Sequence, residues 1–129
     1  MEIPQDVLRT CVGLGLLACR LPSMREDTIN IFEAMKAAAP DSPSWIIGIG
    51  MVHANADDDP AAACRFMMKQ GVSAGSGDLL ARAFLGLFLV MAGRASDAER
   101  VASAVVDDGS DADATRLARS LLDNEINRS

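Results

Sequence analysis

Residues 84–101 read FLGLFLVMAGRASDAERV and predict a helix hairpin. The first half is apolar around nearly the whole circumference of a helix, so it must be covered on both sides, by its own protein or by a partner. Gly93 ends this helix, and Ser96 or a nearby residue caps the return helix. The apolar run is no membrane span, because residues 79–93 include Arg82 and are fewer than the roughly 20 that a spanning helix needs.

The composition predicts a single all-α domain. Half of the 129 residues are hydrophobic, only 4% are aromatic, and tyrosine is absent. Such a chain fills its core with Ala, Leu, Val, Ile and Met, most of which favour helices, whereas strands favour aromatic and β-branched residues. No segment shows the sustained alternation of a strand. The length allows one compact domain, residues 1–129.

Proline, glycine and polar turns divide the chain into seven predicted helices. Asp59 and Asp78 have the position of N-caps, and Ser42 precedes Pro43 in the same way at the start of the third helix. A flexible stretch at 73–77 and a polar turn at 107–111 separate the later helices. The predicted helices cover about residues 4–20, 25–39, 43–56, 60–71, 79–93, 96–106 and 112–126.

Small residues recur along the chain at the spacing of a helical repeat. Gly15, Gly50 and Gly86 each lie late in the first helix of a predicted pair, 35 and 36 residues apart (50 − 15 and 86 − 50). The return helices of the pairs carry another recurring feature, a pair of residues four positions apart. Its first members are separated by 34 and 36 residues (62 − 28 and 98 − 62), near the tetratricopeptide period of about 34. Its members are Thr28/Phe32, Ala62/Phe66 and Ala98/Ala102. These spacings predict three degenerate tetratricopeptide-like helix hairpins plus a C-terminal capping helix, with an irregular helical bundle as the alternative.

The first helices of such hairpins line the concave side of the stack, where partners bind. The predicted partner-binding residues on this side are Val12, Leu16, Cys19, Ile47, Met51, Ala54, Leu80, Ala83, Leu87, Val90 and Met91. An apolar groove with flexible methionines suits the apolar face of an amphipathic helix. The alternative is that these residues form a core that neighbouring helices close.

No pattern indicates an enzyme, a cofactor or a metal site. His53 is the only histidine and has no metal-ligand spacing to a cysteine, so a packed or partly exposed helix residue is expected. The acids at 57–59 lack the pattern of a calcium loop and suit a helix N-terminus, and the glycines at 75–77 lack the strand and the lysine of a phosphate loop. Free, buried thiols are expected for Cys11, Cys19 and Cys64.

The net charge and the N-terminal sequence indicate which partners and which cellular compartment to expect. A net charge of −6 and a pI near 4.6 disfavour nucleic-acid binding, which needs a basic face. The N-terminus carries acidic residues where a signal peptide carries Lys or Arg. We therefore expect a cytoplasmic protein that binds neither nucleic acid nor membranes.

The third predicted hairpin resembles a tetratricopeptide repeat. Leu85-Gly86, Leu89, Gly93 and Ala98 fall at the family's Leu-Gly, aromatic, turn-glycine and alanine positions, with Leu89 replacing the usual aromatic residue. Residues 81–101, ARAFLGLFLVMAGRASDAERV, and 26–43, EDTINIFEAMKAAAPDSP, resemble hairpins of the small tetratricopeptide-like chaperones of bacterial type III secretion. The nearest kind holds the needle subunit before export, and the resemblance covers about residues 10–122.

This resemblance implies a cytoplasmic chaperone that binds an amphipathic helix of a needle or other secreted subunit and prevents premature polymerisation. It also implies a small helical co-chaperone on the other face, and a homodimer is expected when no ligand is bound. Two other functions stay open at this point: a generic helical-repeat adaptor or self-associating scaffold, and a regulatory or enzymatic helical domain whose site is not recognised.

Overall fold

The structure, a computed structural model of the chain, describes residues 25–126, and all regular secondary structure in that range is helical. The second and sixth of its α-helices continue without a break into a π-helical turn. The helices are α1 (Arg25–Ala38), α2 (Ser44–Met51, continued by Val52–Ala56), α3 (Pro60–Lys69), α4 (Leu79–Met91), α5 (Ala95–Asp108) and α6 (Ala112–Ser120, continued by Leu121–Ile126). The all-α prediction is confirmed for these residues, and the predicted helix at 4–20 lies outside them.

Aspartates cap three of the helices. The carboxylates of Asp59, Asp78 and Asp111 each accept a hydrogen bond from the backbone N–H three residues later, at 3.0, 3.1 and 2.9 Å. These bonds pair N–H groups that the first helical turn leaves free, and the negative charge suits the positive end of the helix dipole. The predicted caps at Asp59 and Asp78 are confirmed.

The start of α2 differs slightly from its prediction. The helix begins at Ser44, one residue later than expected, although Pro43 already has helical backbone angles of −70° and −13°. The hydroxyl of Ser42 accepts a hydrogen bond from the Ser44 N–H at 3.3 Å, while the Pro43 carbonyl accepts one from Ile47 at 3.1 Å. Ser42 therefore pairs the N–H of the first helical residue from two positions before it, while Pro43 takes the cap position.

The predicted cap of α5 is wrong. The helix begins at Ala95, so Ser96 lies inside its first turn, and Arg94 precedes it without a side-chain cap. The reason is a short turn: Gly93 takes a φ of +77°, which glycine adopts freely, and the Arg94 N–H donates to the Leu89 carbonyl at 2.9 Å. The chain has therefore reversed direction before Ser96.

Helices α2, α4 and α6 lie side by side and run in the same direction. Gly50, late in α2, faces the ring of Phe88, late in α4, and Gly86, late in α4, faces Leu121 at the end of α6. Helices α3 and α5 connect them and pack against both sequence neighbours. The described chain is thus α1, two antiparallel hairpins (α2/α3 and α4/α5) and a final single helix.

Buried pairs in α1, α3 and α5 recur with a period of 35 residues. These pairs are Thr28/Phe32, Ala63/Met67 and Ala98/Ala102, all 0% exposed and 35 residues apart (63 − 28 and 98 − 63). The predicted pair at Ala62 and Phe66 is one residue too early, and both of these residues are half-buried. The reason is packing, because Met67 places its sulfur 3.2 Å from the position that a β-carbon of Gly50 would take.

Two apolar clusters hold the helices together. The larger cluster joins α2 through α6, and the smaller one joins α1 to α2. The smaller cluster consists of Phe32, Met35, Trp45 and Ile49. The ring of Phe32 fills the space beside Gly48, where any side chain would overlap it. The indole N–H of Trp45 donates to the Pro40 carbonyl at 3.1 Å, so this buried donor is paired.

Candidate partner-binding face

The structure divides the predicted partner-binding residues into buried and accessible groups. Val12, Leu16 and Cys19 lie outside the described residues. The buried group is Ile47, Ala54 and Ala83, which are at most 2% exposed and belong to the larger core cluster. The accessible group is Met51, Leu80, Leu87 and Val90, which are half-buried, and Met91, which is 41% exposed. The closed-core alternative therefore holds for the first group, and only the second offers surface to a partner.

One side of α4 carries large apolar side chains with accessible surface. Leu80, Phe84, Leu87 and Met91 follow the i, i+4, i+7, i+11 spacing, which places them within an arc of about 60°. We call these four residues the α4 face. Phe84 is not among the predicted partner-binding residues. Its position four residues after Leu80 and three before Leu87 is the sequence signal that identifies it.

Helices α2 and α6 flank the α4 face. On one side, the ring of Phe84 lies 6.3 Å from that of Phe88, which packs on Gly50 of α2. On the other side, Gly86 faces Leu121 of the π-helical turn that ends α6. The α4 face therefore belongs to the middle helix of a layer of three parallel helices.

Apolar residues of the flanking helices also keep accessible surface. Met51 of α2 and Leu122 at the end of α6 are half-buried and pack against the larger core cluster. Leu122 lies 35 residues after Leu87 (122 − 87), which is the period found for the buried pairs.

The α4 face carries no charge. The only charged residue of α4 is Arg82, which the helix places on the side opposite Leu80 and Leu87. Its guanidinium donates a hydrogen bond to the Ala74 carbonyl, in the loop before α4. A face without titratable groups supplies no general acid, general base or metal ligand, and it suits an apolar ligand.

The polar cluster at the end of α2 has a structural role. Asp57 accepts a hydrogen bond from Arg25 Nε at 2.5 Å, and its second oxygen lies 3.3 Å from His53 Nδ1. The hydrogen bond with Arg25 lowers the pKa of the Asp57 carboxyl and raises the pKa of the guanidinium. These contacts fasten the start of α1 to the turn between α2 and α3.

Residues 25–126 contain no metal-binding cluster of the kinds that the sequence analysis considered. Histidine, cysteine and acidic side chains form no group of three there that could hold a metal ion. The ring of His53 lies 5.6 Å from the ring of Phe66, and Asp59 caps α3. Cys64 is 1% exposed, and burial raises the pKa of its thiol although the positive charge of Arg94 opposes that shift.

No helix within the described range combines the length and the apolar character that a membrane span requires. Comparisons of the chain with models of protein families, with curated proteins and with solved structures found no match.

Proposed function

We propose that this protein binds an amphipathic helix of another protein along the α4 face. The observation that carries the proposal is the set of four large apolar side chains, Leu80, Phe84, Leu87 and Met91, that share one uncharged arc of a single helix and keep accessible surface. A partner helix presents its own apolar residues at the same i, i+3, i+4 and i+7 spacings, so the two arcs match over three turns.

The energetics favour a helix as the ligand. Burying a large apolar side chain fully contributes about 1.5–3 kcal/mol, and completing the burial of four half-covered side chains contributes part of that for each. This gain must exceed the cost of immobilising the partner, which a preformed helix keeps low. Met91, with its flexible and polarisable side chain, adapts to the shape of the partner.

We further propose that the partner is a needle or other secreted subunit of a type III secretion system, held in the cytoplasm before export. The support is the resemblance of residues 81–101 and 26–43 to the chaperones of such subunits. Covering the apolar face of the subunit's helix would prevent its premature polymerisation. A small helical co-chaperone would then cover the other face of that helix.

A self-associating scaffold is the second candidate, because two large apolar residues outside the α4 face are also accessible. Ile31 and Met68 are each 46% exposed, on α1 and α3 respectively. Sedimentation of the isolated protein separates the two functions. A stable homodimer that the secreted subunit does not dissociate favours the scaffold.

The test is co-expression with a needle-type subunit, using two matched variants. Met91→Asp places a charge on the α4 face at a residue 41% exposed, and Ile31→Asp places one on α1 at a residue 46% exposed. We expect the unmodified protein and Ile31→Asp to co-purify with the subunit and suppress its polymerisation. We expect Met91→Asp to weaken binding at least tenfold, because the complex would bury an unpaired carboxylate.

Circular dichroism and thermal unfolding establish that both variants are folded, and Leu87→Asp provides a second charge on the α4 face. Equal binding by Met91→Asp and Ile31→Asp would contradict the assigned surface. Unhindered polymerisation of the subunit beside the unmodified protein would contradict the chaperone function.

A further inference from the structure

A cavity lies on the side of α4 opposite the α4 face. It has a volume of about 220 Å³ and lies between the loop that follows α3, the middle of α4 and the first half of α5. Leu85, Leu89 and Val101 lie beneath it and are at most 3% exposed, so its accessible apolar lining comes from Met68 and Ala74. Leu85 and Leu89 point away from Leu87, because residues two apart on a helix are separated by about 200°. The cavity and the α4 face are therefore independent surfaces.

The loop wall of this cavity is held in place by its own hydrogen bonds. The Ser73 N–H donates to the Ser76 carbonyl at 2.8 Å, and the Ser76 hydroxyl donates to the Gly71 carbonyl at 2.9 Å. Arg82 donates to the Ala74 carbonyl from α4. Because these bonds exist before any ligand arrives, a ligand would not have to order the wall, which lowers the cost of binding.

The mouth of the cavity carries a net positive charge in a protein whose net charge is −6. Arg94 contacts one oxygen of the Asp97 carboxylate through Nη2 at 2.6 Å, and Arg100 contacts the other at 3.1 Å. Two guanidinium groups thus share one carboxylate. Each guanidinium has five N–H donors, so several donors of Arg94 and Arg100 stay available to a second carboxylate.

The size of the cavity limits what it holds. Pockets for drug-sized molecules measure about 300–1,000 Å³, so a cavity of about 220 Å³ suits a single side chain better than a whole small ligand. Met68 stands at the edge with 46% of its surface exposed and offers an adaptable apolar contact to whatever covers the mouth.

We infer that this cavity is a binding site for an acidic peptide segment. An apolar side chain of the segment fills the cavity beside Met68 and Ala74, and the carboxylate of an adjacent Asp or Glu binds Arg94 and Arg100 at the mouth. The site lies beyond the proposed helix-binding function and does not depend on it. It would allow the protein to hold one segment here while a helix lies on the α4 face.

The test is a titration of the full-length, ¹⁵N-labelled protein by NMR with three capped tetrapeptides. The two central residues are Leu-Asp in the first peptide, Leu-Asn in the second and Gly-Asp in the third, with one glycine on each side. We expect the Leu-Asp peptide to shift backbone amides at residues 73–75 and 94–101 in a saturable way. We expect the other two peptides to bind at least tenfold more weakly, because one lacks the carboxylate and the other lacks the apolar anchor.

Arg94→Gln and Arg116→Gln form a matched pair of variants. Arg94 contacts Asp97, three residues after it, and its side chain is 50% exposed. Arg116 contacts Asp113, three residues before it, and its side chain is 78% exposed. Arg116 lies on α6, away from the cavity. Arg94→Gln should reduce the affinity for the Leu-Asp peptide to that for the Leu-Asn peptide, and Arg116→Gln should leave it unchanged. Thermal unfolding confirms that both variants are folded.

Three results would overturn the inference: equal affinity for the three peptides, absence of saturable shifts at these residues, or an unchanged affinity in Arg94→Gln. Met91→Asp separates this site from the proposed function. It should bind the Leu-Asp peptide normally even though its α4 face is charged.

Discussion

A β-carbon on Gly50 of α2 would lie 2.8 Å from Cε2 of Phe88 of α4, closer than side chains pack in proteins. The ring of Phe88 is 0% exposed, so any shift of the ring would have to displace its neighbours in the core. Glycine at this position therefore sets the distance between α2 and α4, and with it the position of the α4 face beside α2.

We predict that Gly50→Ala lowers the free energy of unfolding by about 1–3 kcal/mol, the cost of overpacking a closed core, although alanine favours a helix. Gly86→Ala is the matched control, because its β-carbon would lie 3.4 Å from Leu121 Cδ1, at ordinary contact distance. This variant should be neutral or up to about 1 kcal/mol more stable. Urea unfolding measures both. Equal stability of the two variants would show that the Gly50 contact is looser than described.

The turn between α2 and α3 provides a second comparison. Asp59 caps α3, and Asp58 beside it takes a φ of +50°, a left-handed conformation that glycine adopts without strain. We predict that Asp59→Ala destabilises the protein by about 0.5–2 kcal/mol. Asp58→Gly should be neutral or slightly stabilising. Thermal unfolding measures the difference, and a larger loss for Asp58→Gly would refute these roles.

The Arg25–Asp57 pair predicts a dependence of stability on pH. The hydrogen bond from Arg25 lowers the pKa of Asp57 in the folded protein below its value of about 3.9 in an unfolded chain. Its contribution is therefore complete above about pH 5 and is lost as the pH falls through the folded-state pKa. Because both side chains are partly exposed, it should stay under about 1 kcal/mol.

Arg25→Gln removes the main cause of this shift. The variant should be less stable than the unmodified protein at neutral pH, and the difference should shrink as the pH falls toward about 2. Arg119→Gln, which removes an arginine from α6, serves as the control for the change in net charge. A difference between Arg25→Gln and the unmodified protein that is constant with pH would contradict the role of Asp57.

The parts of the fold that local chemistry determines could be predicted from the sequence. Asp59 and Asp78 each precede an apolar run as a cap should, and both cap a helix in the structure. Ser96 has the chemistry of a cap as well, but the turn at Gly93 reverses the chain before it. The position of a cap thus depends on the turn that precedes it, which composition does not encode.

The candidate surface could be predicted only in part, because periodicity shows which residues are apolar and not which of them a neighbouring helix covers. Ile47 and Ala83 belong to the same predicted side as Leu87, yet they are 2% and 0% exposed. The sequence likewise does not show which of the three successive alanines at 61–63 is buried. The packing of Met67 beside Gly50 decides which side of α3 faces the core. Long-range packing decides these positions.

The most direct test of helix binding is NMR of the methyl groups of Leu80, Leu87 and Met91 in the protein with and without a needle-type subunit. We predict that these methyl signals shift on binding and show contacts to the subunit, while the Ile31 methyl signals stay unchanged. Formation of the complex with the three residues' signals unchanged would contradict binding at the α4 face.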